Sequence, residues 1–163
     1  MATITTLARP EGGKGSPSRK PYLVEVEIDL AAAATAKGSA LAANDVIEAI
    51  TVGANTAVMF AGIEVITAPA GGTTGSVDLG ITGGDVDAFV DGFAITGAAA
   101  GAYAALANTA TPIIVAAGGT IDALLLGTTP DTSGKLRVFA YLMDVDGLGG
   151  VKSADEVDRD TLA

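Results

Sequence analysis

The sequence predicts an all-β protein: an antiparallel β-sandwich or barrel preceded by an extended N-terminal arm. Its 163 residues suit one domain, and the 22 glycines show no collagen-like period, which fits short strands joined by tight turns. Several segments alternate between apolar and polar residues, the period expected of a strand with one buried face. Seven or eight such segments follow one another with turn residues between them, as in antiparallel sandwiches and barrels.

The clearest strand is predicted at residues 22–30, where Val24, Val26, Ile28 and Leu30 share one side and acidic residues the other. The acidic side is interpreted either as a solvated face or as a contact for a basic partner. Further strands are predicted at residues 45–52, 56–67, 76–82 and 112–117.

A β-hairpin is predicted near the end of the domain. Its arms are residues 120–127 and 135–145, joined by residues 128–134, whose Pro, Asp, Ser and Gly favour a turn. The second arm has two different faces because its side chains alternate. One face carries Leu136, Val138, Ala140 and Leu142, and the other carries Arg137, Phe139, Tyr141 and Met143.

Other segments are less regular. Residues 31–43 are rich in alanine, which favours helix, but Thr35, Gly38 and Ser39 weaken it, so a loop is favoured over one short helix. Residues 93–110 are interpreted as an irregular excursion or one short helix. Gly62, inside the third strand, predicts a bulge or a close approach of another backbone.

The charge divides the chain into three predicted parts: a basic N-terminal arm (1–21), a β-sandwich domain (22–146) and a charged C-terminal tail (147–163). The net charge is −10, but residues 1–20 carry four basic residues against Glu11, a net of +3. The remainder carries 5 basic and 18 acidic residues, a net of −13, which argues against a nucleic-acid partner. The arm is either a solvated tail or docks on an acidic protein surface. Its candidate contact residues are Arg9, Lys14, Arg19 and Lys20.

The amino-acid composition excludes several common kinds of catalytic and metal-binding site. The chain has no Cys and no His, so disulfides, thiolate metal sites and the usual general base are unavailable. It also lacks a phosphate-binding loop, a dinucleotide fingerprint and a nucleophile elbow. We therefore expect no enzyme activity and no cofactor. Asp85, Asp87 and Asp91 could hold Ca²⁺, but their spacing does not fit an EF-hand loop, so an acidic turn without an ion is predicted.

Hydropathy predicts no membrane partner. Every apolar window is interrupted before it reaches the length of a transmembrane helix. Residues 1–20 lack the apolar core of a signal peptide, so we expect the protein to be made in a cytoplasm.

Four segments carry a resemblance to a known family. They read ANDVIEAITV, GANTAVMFAGIEVITA, GGTTGSVDLGITGGDVDAFVDG and TIDALLLGTTPDTSGKLRVFAYLMDV, and together they cover about residues 43–145. The pattern resembles small virion proteins of tailed bacteriophages, the capsid decoration or cement proteins. The motifs are strands and turns, and they include no chemical signature.

The resemblance implies a trimeric β-sandwich or jelly roll in the virion, with the major capsid protein as its partner. It carries over no catalytic residue. A second hypothesis is another virion part, such as a head-fibre base, a tail component or a host-surface adhesin. An adhesin needs an exposed recognition patch, and several of the seven aromatic residues are expected in the core.

Overall fold

The computed structural model describes residues 3–8, 21–105 and 112–145, with the backbone alone for residues 3–8 and Ala105. Ten strands and one helix lie within these ranges. They are β1 (Thr3–Ala8), β2 (Tyr22–Asp29), α1 (Leu30–Lys37), β3 (Val46–Val52), β4 (Thr56–Ala70), β5 (Ser76–Ile81), β6 (Val90–Ala94), β7 (Tyr103–Ala105), β8 (Ile113–Val115), β9 (Gly119–Leu126) and β10 (Ser133–Asp144).

The strands form two five-stranded sheets, so the predicted all-β sandwich is confirmed. Sheet A has the order β1-β3-β9-β5-β6, and sheet B has the order β2-β10-β4-β7 with β8 also paired to β4. Every pairing is antiparallel except that of β1 with β3. The chain crosses repeatedly from one sheet to the other, a feature that jelly rolls share; the jelly-roll assignment itself stays a prediction.

The core lies between the sheets and is built from the predicted apolar rows. In β10 the row Leu136, Val138, Ala140 and Leu142 is completely buried, and Val24 and Ile28 of β2 are buried beside it. Sheet A contributes the corresponding inward residues of its own central strand, Ile121, Ala123 and Leu125 of β9, with Ile47, Val77 and Leu79 from its neighbours. For β2 and β10 the period of two therefore predicted correctly which side chains enter the core.

The predicted hairpin of residues 119–145 is wrong. β9 is the central strand of sheet A, between β3 and β5, whereas β10 lies between β2 and β4 in sheet B. Residues 127–132 cross from one sheet to the other. β9 and β10 each lie between two neighbouring strands of their own sheet. The stability gained from this packing outweighs the turn preference of the residues between β9 and β10.

The crossing segment is fixed by Asp131, which is 1% exposed. Its Oδ1 accepts the Gly72 N–H at 3.2 Å, and its Oδ2 accepts the Thr96 hydroxyl at 2.6 Å. Thr96 in turn accepts the Gly75 N–H at 2.6 Å. A Cβ on Gly72 would lie 2.6 Å from the Asp131 nitrogen, so only glycine permits this approach. Asp131 thus joins three loops at one end of the sandwich.

Residues 30–37 form a helix, so the favoured loop was wrong and the short-helix alternative was right. The Asp29 carboxylate caps the helix by accepting the N–H groups of Ala31 and Ala32, which ends β2 one residue earlier than predicted. The helix ends at Gly38, which adopts φ 77°, a left-handed conformation favourable to glycine. Lys37 then donates to the buried carboxylate of Asp45 at 2.5 Å and anchors the helix to the start of β3.

Three further predictions differ from the structure. Residues 3–8, expected to belong to an arm without regular structure, form β1 at the edge of sheet A. Gly62 pairs in regular register with Phe139, so the bulge that was one of the two alternatives there is not found. The register of β4 against β10 shifts at Met59 and again between Val65 and Ala70. Residues 93–94, at the end of β6, and residues 103–105, which form β7, are strands where an irregular segment or helix was expected, and β6 begins within the predicted acidic turn. Residues 9–20 and the tail from 147 lie outside the described residues.

Tyr22 connects three strands at the other end of sheet B. Its hydroxyl donates to Asp144 Oδ1 at 3.3 Å, and the Thr56 hydroxyl donates to the same oxygen at 3.3 Å. Burial, together with the charge and hydrogen bond of Asp144, raises the pKa of Tyr22 from 10.0 to about 12. The native state therefore favours the neutral phenol.

Replacing Asp131 by alanine tests the loop junction. The change leaves the Gly72 N–H and the Thr96 hydroxyl without their acceptor, so we expect the free energy of unfolding to fall by about 2–3 kcal/mol. Urea denaturation followed by circular dichroism measures it. Asp91→Ala, which removes an exposed carboxylate, is the control and should leave the midpoint unchanged. Equal midpoints for the two variants would contradict the structural role of Asp131.

Alkaline titration tests the Tyr22 contact. Because the folded pKa is the higher one, the stabilisation is complete below pH 10 and is lost as the pH rises towards 12. The ultraviolet absorbance of tyrosinate should show a late-titrating component in the native protein. Tyr22→Phe should remove that component and Tyr103→Phe should retain it; a late component that persists in Tyr22→Phe would show that another tyrosine is responsible.

Candidate interaction surface

The four basic residues predicted as contacts, Arg9, Lys14, Arg19 and Lys20, lie outside the described residues. Their position in the chain is nevertheless informative. They follow β1 and precede β2, so the segment that contains them is attached to the sandwich at both ends.

The acidic turn lies over the outer face of sheet A. The Ile81 N–H donates to the Asp85 carbonyl, and a Cβ on Gly80 would lie 2.2 Å from that same oxygen, so the turn packs directly on β5. A hydrogen bond with Asp85 raises the pKa of Asp87, and the Asp85 and Asp91 charges act in the same direction. Among the described residues, no three acidic side chains are arranged to share a metal ion.

The outer face of sheet B is the more distinctive surface. Directly paired residues on neighbouring strands share a face of the sheet, and the register aligns the outward residues in rows across β2, β10 and β4. One row contains Leu23, Tyr141 and Phe60; the next contains Glu25, Phe139 and Gly62; the third contains Glu27, Arg137 and Glu64, extended by Tyr103 of β7. The row beyond Tyr141 contains Met143 and Ala57, extended by Ile114 of β8.

One half of this face is apolar, and we call it the apolar half. It comprises Leu23, Met59, Phe60, Ile114, Phe139, Tyr141 and Met143. The Phe60 and Phe139 rings lie 5.8 Å apart at 32° and form its centre. The shift of register at Met59 adds one residue to β4 beside Phe60. Apolar side chains gathered in this way are typical of interaction sites.

The other half is charged, and its cations are already paired. Lys135 Nζ lies 2.6 Å from Glu27 Oε1, and Arg137 lies 3.6 Å from Glu64 Oε2. The hydrogen bond from Lys135 to Glu27 raises the pKa of the lysine. Such exposed pairs add little to stability. Two further acids lie beside them, Asp29 opposite Lys135 and Glu25 in the adjoining row, so acids outnumber cations on this half.

Sequence reasoning found part of this surface. The mixed row of β10 and the acidic row of β2 were predicted and do lie outward, but nothing indicated that the two rows are adjacent. The expectation that several aromatic residues are in the core is confirmed only in part: Phe89 is fully buried, and Tyr22 and Phe93 are partly buried against the core. Tyr103 is 71% exposed and Tyr141 is 45% exposed.

No helix in the described ranges has the length and apolar character needed to cross a membrane.

Comparison with known proteins gives structural similarity alone. No protein-family model and no curated protein matches the sequence. Among solved structures, the chain is similar to one in the capsid of Ralstonia phage GP4, with a TM-score of 0.61 and 16% identity over 90% of this chain and 100% of that chain. It is also similar to a chain in the capsid asymmetric unit of cyanophage Pam1, with a TM-score of 0.55 and 14% identity over 85% and 93% of the two chains.

A third similarity is to a chain in the acid-stable capsid structure of Helicobacter pylori bacteriophage KHP30. Its TM-score is 0.53, with 17% identity over 76% of this chain and 86% of that one. At these identities the comparisons show a shared fold. The resemblance predicted from the sequence is therefore confirmed at the level of the fold, and the chains that share it come from phage capsid structures.

Proposed function

We propose that this protein is a structural component of a tailed-phage virion that binds the outside of the capsid and stabilises the shell. Its partner is the major capsid protein, and it acts as a homotrimer. The observation that carries the proposal is the fold, which this chain shares over most of its length with chains from phage capsid structures. Fold alone does not determine function, so the proposal also draws on the composition and the surface.

Composition and surface favour binding over catalysis. The sequence contains neither His nor Cys, the residues that most enzymes use for proton transfer and thiolate chemistry. The described part of the chain instead carries an exposed apolar face on a rigid sheet, which suits a protein that acts through contacts. We therefore propose a role without enzyme activity, located in the virion and assembled in the host cytoplasm.

The basic residues Arg9, Lys14, Arg19 and Lys20 are proposed to contact the shell. They are opposite in sign to the rest of the chain, so they complement an acidic capsid surface. Because β1 and β2 hold both ends of the segment, less conformational entropy is lost on binding than for a free terminal arm.

Co-sedimentation with undecorated capsids tests this role. We expect the protein to pellet with the shells, and we expect replacement of the four basic residues by glutamine to weaken binding about tenfold or more. Each exposed charge contact contributes up to about 1 kcal/mol and is weakened by salt. Replacing the basic residues of the tail, Lys152 and Arg159, by glutamine is the control. Equal binding by all three proteins at every salt concentration would exclude the four residues as contacts.

The alternative is another virion part, such as a head-fibre base, a tail component or an adhesin. The exposed Tyr103 and Tyr141 favour it, because exposed aromatic residues are common in recognition patches. Quantitative mass spectrometry of purified virions separates the two roles. A copy number comparable to that of the major capsid protein is expected for a decoration protein, and a handful of copies would exclude it in favour of a tail or fibre position.

A further inference from the structure

We infer that the apolar half of the outer face of sheet B is the surface through which copies of this chain associate with one another. The occupants of this face are the same faces of the other copies, gathered around the symmetry axis of the oligomer. The inference rests on the homo-oligomer in the proposed function and is independent of shell binding.

The first reason is the distribution of exposed apolar side chains. Six large apolar residues in the described part of the chain are exposed, and five of them lie on the outer face of sheet B. Leu23 and Ile114 are each 51% exposed, although both are in strands with regular pairing. The sixth residue, Val86, lies in the acidic turn on the other sheet. Exposed apolar residues that lie together on paired strands are typical of a surface that another molecule buries.

The second reason is charge. The chain carries a net charge of −10, so two copies repel one another unless the surfaces that meet are nearly neutral. On this face Lys135 and Arg137 are paired with Glu27 and Glu64 within the same copy. Neither cation requires an acid from a partner. The two further acids of this face, Glu25 and Asp29, lie outside the apolar half, so identical apolar halves can meet without opposing carboxylates. A strongly charged partner would find few unpaired charges here.

The third reason is the arrangement of the two halves along the strands. The apolar rows lie towards the Asp144 end of β10, and the ion pairs lie towards the Ser133 end. A symmetry axis through the apolar half buries the Phe60, Phe139 and Tyr141 rings at the centre and leaves the ion pairs on a wet rim. This is the usual organisation of an interface, with an apolar centre and a polar periphery. Copies that contact one another around a single symmetry axis form a closed oligomer.

Sedimentation equilibrium of the whole protein over a dilution series tests the inference. The wild-type protein should have an oligomeric mass that falls towards the monomer mass on dilution. Tyr141→Glu and Ile114→Glu should each weaken association about tenfold or more, because a carboxylate would be buried among apolar side chains. Val86→Glu is the matched control. Val86 is 54% exposed but lies away from this face, so the substitution adds the same charge and should leave association unchanged.

Oxidative footprinting of the unmodified protein gives a second measurement that does not depend on the folding of any variant. Met59 is on the face and 36% exposed, so its oxidation should slow as the protein concentration rises. A protein that is monomeric at every concentration overturns the inference. So does association that resists both face variants, or protection of Met59 that is independent of concentration, since the chain's own residues would then cover the face.

These outcomes are separate from those of the capsid experiment. Self-association through this face without capsid binding would leave the inference standing and remove the proposed decoration role. Capsid binding by a protein that stays monomeric would support the decoration role and overturn the inference of self-association.

Discussion

The fold depends on one core shared by two sheets whose central strands are consecutive in the chain. β9 and β10 each lie between two neighbours, in sheet A and sheet B respectively. Their inward side chains are completely or almost completely buried, and the other strands add their apolar rows on either side. The segment between β9 and β10 must therefore cross the edge of the core. Asp131 makes that crossing possible by pairing buried backbone and hydroxyl groups that would otherwise lack partners.

The sequence predicted the strands better than their partners. A period of two tells which side chains of a strand are buried, and for β2 and β10 that information was correct. It does not tell which strand lies alongside, and the assumption that neighbours in sequence pair produced the wrong hairpin. The seven residues between the predicted arms were themselves a warning, since hairpin loops are usually shorter. The helix α1 had readable signals at both ends, Asp29 as its cap and Gly38 beyond its last turn.

The candidate surface was predictable only in fragments for the same reason. Phe139 and Tyr141 were correctly placed on one face of β10, but their neighbours Phe60 and Leu23 come from distant parts of the chain. The pairing of Arg137 with Glu64 depends equally on the order of strands in sheet B. Surfaces of this kind are created by tertiary structure, and a short motif does not encode them. The four basic residues, by contrast, were visible from composition alone, and they remain a prediction.

The Asp131 junction gives the two ends of the sandwich different capacities for sequence change. At the Asp131 end of the sandwich, Gly72 and Gly75 have no room for a side chain. The loop that contains them is joined to its neighbours through the Asp131 carboxylate and Thr96. At the opposite end of β5, a Cβ on Gly83 would meet no heavy atom within 4 Å, although the φ of 72° at this position still favours glycine. Insertions and genetic fusions are tolerated at exposed turns of that second kind. Residues 83–84 are thus the place at which this scaffold could carry a foreign peptide, whereas Asp85 and Phe89 hold the rest of the acidic turn against the sandwich. At the Asp131 end, Gly72 and Gly75 cannot be replaced.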